Sequence, residues 1–260
     1  MAISLSQLIC DVAPRPPRVL IHGVAGVGKT TFAAAANQPV FIQTEDGLGT
    51  LAASHFPLAR TFEDVLDAVA ALYTERHDFK TLVIDSVDWL EPLVWGKACR
   101  NNGWASIEDA GYGKGYIAAL DLWRQYVDGL NALRNDRGMT VVQIAHTDIK
   151  RFDSPEHDPF DRYVIKLHTR AAALLQEHSD IVLFANYRIS TVKADVGFNK
   201  KVNRAVGSGE RVIYTGERPA FLAKNRYGLP ETLPLNWQVF AQAMPESVRA
   251  MLTPLQSVAT

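Results

Sequence analysis

The sequence predicts a three-layer α/β protein with a mostly parallel central sheet. Three observations carry that expectation. Short apolar runs alternate with stretches of helical periodicity from residue 18 to about residue 190. A glycine-rich loop joins the first apolar run to an alanine-rich helix. At 260 residues and 47% hydrophobic, the chain is long enough to bury one sizeable core.

The elements follow in order. Residues 18–22 read as the first strand, and 29–36 as a helix stopped near Asn37 and Pro39. "PVFIQT" is a second strand ending at Thr44. A helix begins at Thr61, which with Asp64 has the pattern of a capping box, and runs to about Glu75. "KTLVID" is a buried strand, followed by helices over about 87–100 and 116–134. "MTVVQIAH" and "DIVLFANYRIS" are further strands, and "RVIYTGERPAFLAKN" reads as a C-terminal β-hairpin around Gly216. "NWQVFAQAMPESVRAML" makes one or two short helices. The division is an N-terminal segment 1–14, a core 15–232 and a C-terminal helical segment 233–260.

Composition narrows the function. Two cysteines, Cys10 and Cys99, indicate neither a disulfide framework nor a zinc site. No apolar stretch approaches the roughly 20 residues that span a bilayer, and the start lacks a basic-then-apolar leader. A soluble cytoplasmic protein with no membrane partner is expected. Net charge is −1, but unevenly placed: −5 over residues 1–136, +5 over 137–226 and −1 beyond. The stretch from Tyr187 to Arg211, with Arg188, Lys193, Lys200, Lys201, Arg204 and Arg211, suits either a polyanion partner or a solvated face.

"RVLIHGVAGVGKTT" carries the chemistry. Gly23, Gly28, Lys29 and Thr30 satisfy G-x-x-x-x-G-K-[ST] between a strand and a helix. Backbone N–H groups from Gly23, Val24, Ala25, Gly26, Val27, Gly28, Lys29, Thr30 and Thr31 can cradle phosphates. Lys29 would neutralise the β- and γ-phosphates, and Thr30 would offer its hydroxyl to Mg²⁺, so ATP and Mg²⁺ are the expected ligands.

Three strand ends point toward that cradle. Asp85 closes "TLVID", where a Mg²⁺-organising acid belongs; with Ser86 it also suits a helix N-cap. Glu45 follows the second strand as a candidate base for the attacking water, with Asp46 its competitor by one residue. In "VVQIAHT", Gln143 turns to one face and His146 emerges near the phosphate, as a sensor or a structural histidine.

GVAGVGKTT, FIQTED, LVID, VVQIAH and "AFLAKNRYGLP", in that order, resemble the RecA-like P-loop ATPases, in particular the phage-encoded RecA-like single-strand annealing ATPases, over about residues 15–232. The resemblance implies that Glu45 matches the family's catalytic glutamate. His146 sits where many members carry glutamine. Lys224–Gly228, KNRYG, is similar to the KNRFG motif of the bacterial RadA branch, whose basic residues act on ATP held by a neighbouring subunit. Lys224 and Arg226 are the matching candidates here, which implies a homo-oligomeric ring or filament. A basic β-edge is the alternative for them.

The same resemblance places DNA-binding loops at 101–116 and 147–170. They hold Trp104, Tyr112, Tyr116, Phe160 and Tyr163 as stacking faces. Lys114, Lys150, Arg151, Arg162, Lys166 and Arg170 are the candidate phosphate contacts, joined by Lys200 and Lys201 of the basic stretch. Glu156, Asp158 and Asp161 oppose a uniformly basic track, and with His157 and His168 they show no recognised metal-ligand spacing. The function implied is an ATP-hydrolysing protein that binds single-stranded DNA and promotes annealing or strand pairing, with a single-strand-binding protein as a candidate helper. If the protein is phage-encoded, it acts in the host cytoplasm. Alternatives are a ring-forming DNA motor or helicase, a small-molecule P-loop kinase and an ATP-gated scaffold.

Overall fold

A computed structural model describes residues 4, 5, 8, 13–153, 158–195 and 201–253, with side chains described except at 189–195 and 201–208. Ten strands and seven helices are found among these residues. They run β1 (Arg18–Gly23), α1 (Lys29–Ala34), β2 (Pro39–Gln43), β3 (Ser54–His55), α2 (Phe62–Thr74), β4 (Thr81–Asp85), α3 (Val87–Asn102), α4 (Lys114–Asp136) and β5 (Thr140–Phe152). Then follow β6 (Phe160–Ile165), α5 (Thr169–His178), β7 (Ile181–Asp195), β8 (Lys201–Tyr214), β9 (Lys224–Asn225), β10 (Thr232–Pro234), α6 (Trp237–Ala243) and α7 (Glu246–Leu252).

The sheet order is β10-β8-β7-β1-β5-β4-β2-β3, parallel from β7 through β3 and antiparallel at the β8 and β10 edge. Period-two alternation sorts each central strand between two cores. Leu20, Val40, Ile42, Leu82, Ile84 and Val141 face α2–α5, while Val19, Ile21, Phe41, Val83, Val142 and Ile144 face α1, α6 and α7. Three layers result. Both faces of the sheet are covered, so the strands are nearly continuous apolar runs.

Local signals placed the helices. Thr61 and Asp64 exchange the two bonds of a capping box at the start of α2. No helix among the described residues is long and apolar enough to cross a membrane.

Two regions differ from the expectation. Residues 147–170 are not a free loop: 147–152 pair antiparallel with β6, and α5 begins at Thr169. Phe160 packs on its register partner Phe152 and Tyr163 on Phe184, contacts that stabilise the pairing despite the charges between them. The expected hairpin around Gly216 is replaced by a longer one: β8 pairs with β7, a tight turn links Arg218 to Phe221, and Lys224–Asn225 pair with the start of β7.

Candidate functional site

The phosphate loop is held by close approaches only glycine permits. A Cβ on Gly23 would lie 2.1 Å from the Ala185 carbonyl oxygen of β7, so the end of β1 can pack there only without a side chain. Gly28 sits at φ 106°, a left-handed conformation, and its carbonyl accepts the first helical bond of α1 from Phe32 N at 2.9 Å. Lys29 reaches back across the loop, its Nζ donating to Gly23 O at 2.9 Å and Val24 O at 3.1 Å. Burial lowers the Lys29 pKa against the pull of Asp85, Asp88 and Glu45.

The carboxyl ends of three adjacent strands converge on this loop. Gly23 and His146 are register partners across β1 and β5, and Asp85 lies opposite Ile144 of β5 and Gln43 of β2. Thr30 Oγ1 donates to Asp85 Oδ2 at 2.8 Å. Burial pushes the Asp85 carboxyl up to about 6, with the nearby Glu45 adding to the rise and Thr30, Lys29 and His146 opposing it. Ser86, not Asp85, occupies the N-cap position of α3, and no side-chain capping bond is made there.

Thr30, Thr31, Glu45, Asp85 and His146 line an open cleft of about 330 Å³ with Gly26, Gly28, Lys29, Gly47 and Ile144. Glu45 Oε1 stands 3.9 Å from His146 Nδ1. Asp46 is exposed and does not line the cleft. The donors Thr30 and Asp85 are a hydroxyl and a carboxylate oxygen in contact, a set that fits a hard cation such as Mg²⁺.

Three residues of the site carry no nucleotide-site motif in the sequence, Arg211 standing there only as part of the basic stretch. Asp88 accepts from His146 through both its backbone N and Nδ1, each at 2.9 Å. Thr44 joins the ends of β2 and β4 through Ser86. Arg211 of β8 brings Nη1 to 3.2 Å from where a Cβ on Gly28 would lie. Only the spacing of Asp88 three residues after Asp85 was available as a signal.

The remaining candidates fall elsewhere. Lys224 Nζ donates to Gln176 O, Glu177 O and Ser179 O at the end of α5, and Arg226 pairs with Asp180 at 3.3 Å. Their strand meets β7 at Ile181 and Val182, whereas Gly23 meets it at Ala185. That is roughly 10 Å along the strand from their own cradle. Lys114, Lys150, Arg151, Lys166 and Arg170 are exposed.

Arg162, among the candidate phosphate contacts, is held within the β5–β6 region. Its side chain is 11% exposed, pairs with Glu217 and donates to Phe221 O through Nη2, and lies over the Phe152 ring, while its buried Nε has no hydrogen-bond partner among the described residues. Two expected stacking faces are likewise packed: Tyr116 lies flat on His168 at 4.0 Å, and Tyr163 packs on Phe184. Tyr112 is fully exposed. Lys200, Glu156 and His157 lie outside the described residues, as do the side chains of Lys193, Lys201 and Arg204.

The loop, its lysine and the acid at the end of β4 define a P-loop nucleotide-binding protein. The sequence matches the AAA domain family over residues 15–227, and the chain belongs to that family of P-loop ATPases. No curated protein matches it. Among solved structures it is similar to the RadB recombinase at 15% identity and a TM-score of 0.42, covering 79% of this chain and 84% of that one.

Proposed function

We propose that this protein is a RecA-like ATPase of the phage annealing type, which binds single-stranded DNA and uses ATP to regulate annealing or strand pairing. The observation that carries the ATPase reading is the convergence of Glu45, Asp85 and His146 on one cleft with Lys29. Backbone amides of the loop and Lys29 hold the phosphates, and Arg211 adds a cation beside Gly28. Glu45 orients and deprotonates the attacking water, and His146 meets the γ-phosphate. Thr30 and Asp85 would hold Mg²⁺, which would neutralise charge between the β- and γ-phosphates.

Support for nucleic acid comes from the β5–β6 hairpin. Its exposed Lys150 and Arg151 accompany Ile149, 62% exposed, and Phe152, 38% exposed, a mix of cations and apolar faces suited to phosphates and unstacked bases. Lys224 and Arg226 do not reach their own cleft, so a part in hydrolysis requires a second copy of the chain, and we read KNRYG in that way. Adding single-stranded DNA to the protein with ATP tests the whole reading. Turnover should rise with DNA; turnover indifferent to DNA would leave an ATPase of another kind.

A further inference from the structure

We propose that Asp88 is a positioning residue that fixes His146 with Nδ1–H bound and Nε2 presented to the γ-phosphate as part of a doubly protonated ring. The inference rests on the ATPase reading above. Asp88 lies in the first turn of α3, three residues beyond Asp85, and its side chain is 3% exposed. One oxygen accepts from the His146 backbone and the other from its ring, both at 2.9 Å. Gripping main chain and imidazole at once leaves the ring little rotational freedom.

The carboxylate also settles the tautomer. An ionised carboxylate only accepts, so Nδ1 must carry the hydrogen. Burial alone would raise the Asp88 carboxyl, but the His146 bonds outweigh it and hold it below its ordinary range. Among the described residues Nε2 has no hydrogen-bond partner, and His146 lines the cleft. Phosphate oxygens only accept, so a useful Nε2 carries a proton and the ring is a cation. The groups facing it are Asp88 from α3, Glu45 from the loop after β2, Asp85 from β4 and Lys29 from α1. The Asp88 bond comes first in raising the His146 pKa, with Glu45 assisting; burial and Lys29 oppose.

Asp88→Asn separates positioning from mere support. The carboxamide oxygen can still accept from the His146 backbone, but its NH₂ turns to Nδ1, which must then accept. The ring then holds a hydrogen on Nε2 alone and stays neutral. The experiment uses the full chain and has two arms. In ¹⁵N-histidine NMR, wild-type His146 should carry hydrogens on both nitrogens, keep the one on Nδ1 when it deprotonates, and titrate above the ordinary histidine range; Asp88→Asn should carry its hydrogen on Nε2 alone and lower the titration. In ATP turnover against pH, wild type should decline as His146 deprotonates. Asp88→Asn should be about tenfold slower without that limb, and Asp88→Asn with His146→Ala no slower than His146→Ala alone. An unchanged tautomer and titration in Asp88→Asn would overturn the inference, as would fully multiplicative losses in the double variant. A wild type that hydrolyses no ATP but shows the NMR change overturns the functional reading and leaves the positioning supported.

Discussion

Thr44 and Ser86 exchange two hydrogen bonds: the threonine hydroxyl donates to Ser86 O at 2.6 Å and accepts from Ser86 N at 2.9 Å. This clasp ties the carboxyl ends of β2 and β4, and so sets where Glu45 stands relative to Asp85. Thr44→Val keeps the shape and deletes both bonds in a buried place. Unfolding free energy should drop by about 2 kcal/mol in urea titration, and ATP turnover should fall with nucleotide binding largely kept.

Glu45→Gln leaves the cleft its shape and removes the proposed base. Fluorescent-nucleotide titration should find binding intact while steady-state turnover falls about a hundredfold or more. Asp46→Asn, outside the cleft, should leave turnover unchanged; the reverse result would move the base by one residue. Lys29→Ala should lose nucleotide binding itself.

Glu91 of α3 accepts from His168 N with both oxygens, and burial pushes its carboxyl up to about 7. Folding therefore raises this pKa, so the folded chain holds a proton that the unfolded chain has released. Its contribution is full below about pH 4.5 and is lost as pH rises through about 7. Glu91→Gln removes that dependence and keeps an acceptor. Between pH 5 and pH 8 its stability should gain on wild type by about 2 kcal/mol, measured by denaturant unfolding at each pH.

Lys224 has two separable effects. Its loss strips two α5 carbonyls and that of the C-cap Ser179 of their donor, so Lys224→Ala should lower the melting temperature of the chain by itself. If it also completes a neighbour's site, mixing Lys224→Ala with Glu45→Gln should recover turnover that neither variant has alone. Co-assembled mixtures without recovery would confine Lys224 to capping α5.

On the β5–β6 hairpin, Lys150→Ala with Arg151→Ala should flatten the salt dependence of single-stranded DNA affinity, by about 0.7 in log–log slope for each phosphate no longer neutralised. Arg162→Ala should act chiefly on stability, because its guanidinium is already engaged by Glu217 and Phe221.

The cradle and three strand ends were legible because spacing and apolar runs are local signals. Glu45, Asp85 and His146 each follow a run ending at the same edge of a parallel sheet, so order in the chain sufficed to bring them near Lys29. Thr44 was not legible, since its partner is the main chain of Ser86, distant in sequence at the N-cap of α3. Arg211 depends on the register of a long hairpin, and nothing near residue 211 announces Gly28. The hairpin over 147–165 reads as a loop because it is rich in charges and turn-forming residues and its apolar residues follow no period of two. Asp88 carries only the signal of an ordinary acid at a helix start, which it also is.

Strand β5 runs unbroken from the core at Thr140 to the exposed Phe152, with cleft residue His146 midway. A strand turns successive residues to opposite faces, so loss or gain of one residue after His146 would reverse every side chain of the arm. Lys150 would exchange faces with Ile149 and Arg151. Without a bulge, only changes by pairs of residues, matched on β6, keep the faces of the arm, a parity condition that the glycine-bearing connection over 103–113 does not impose.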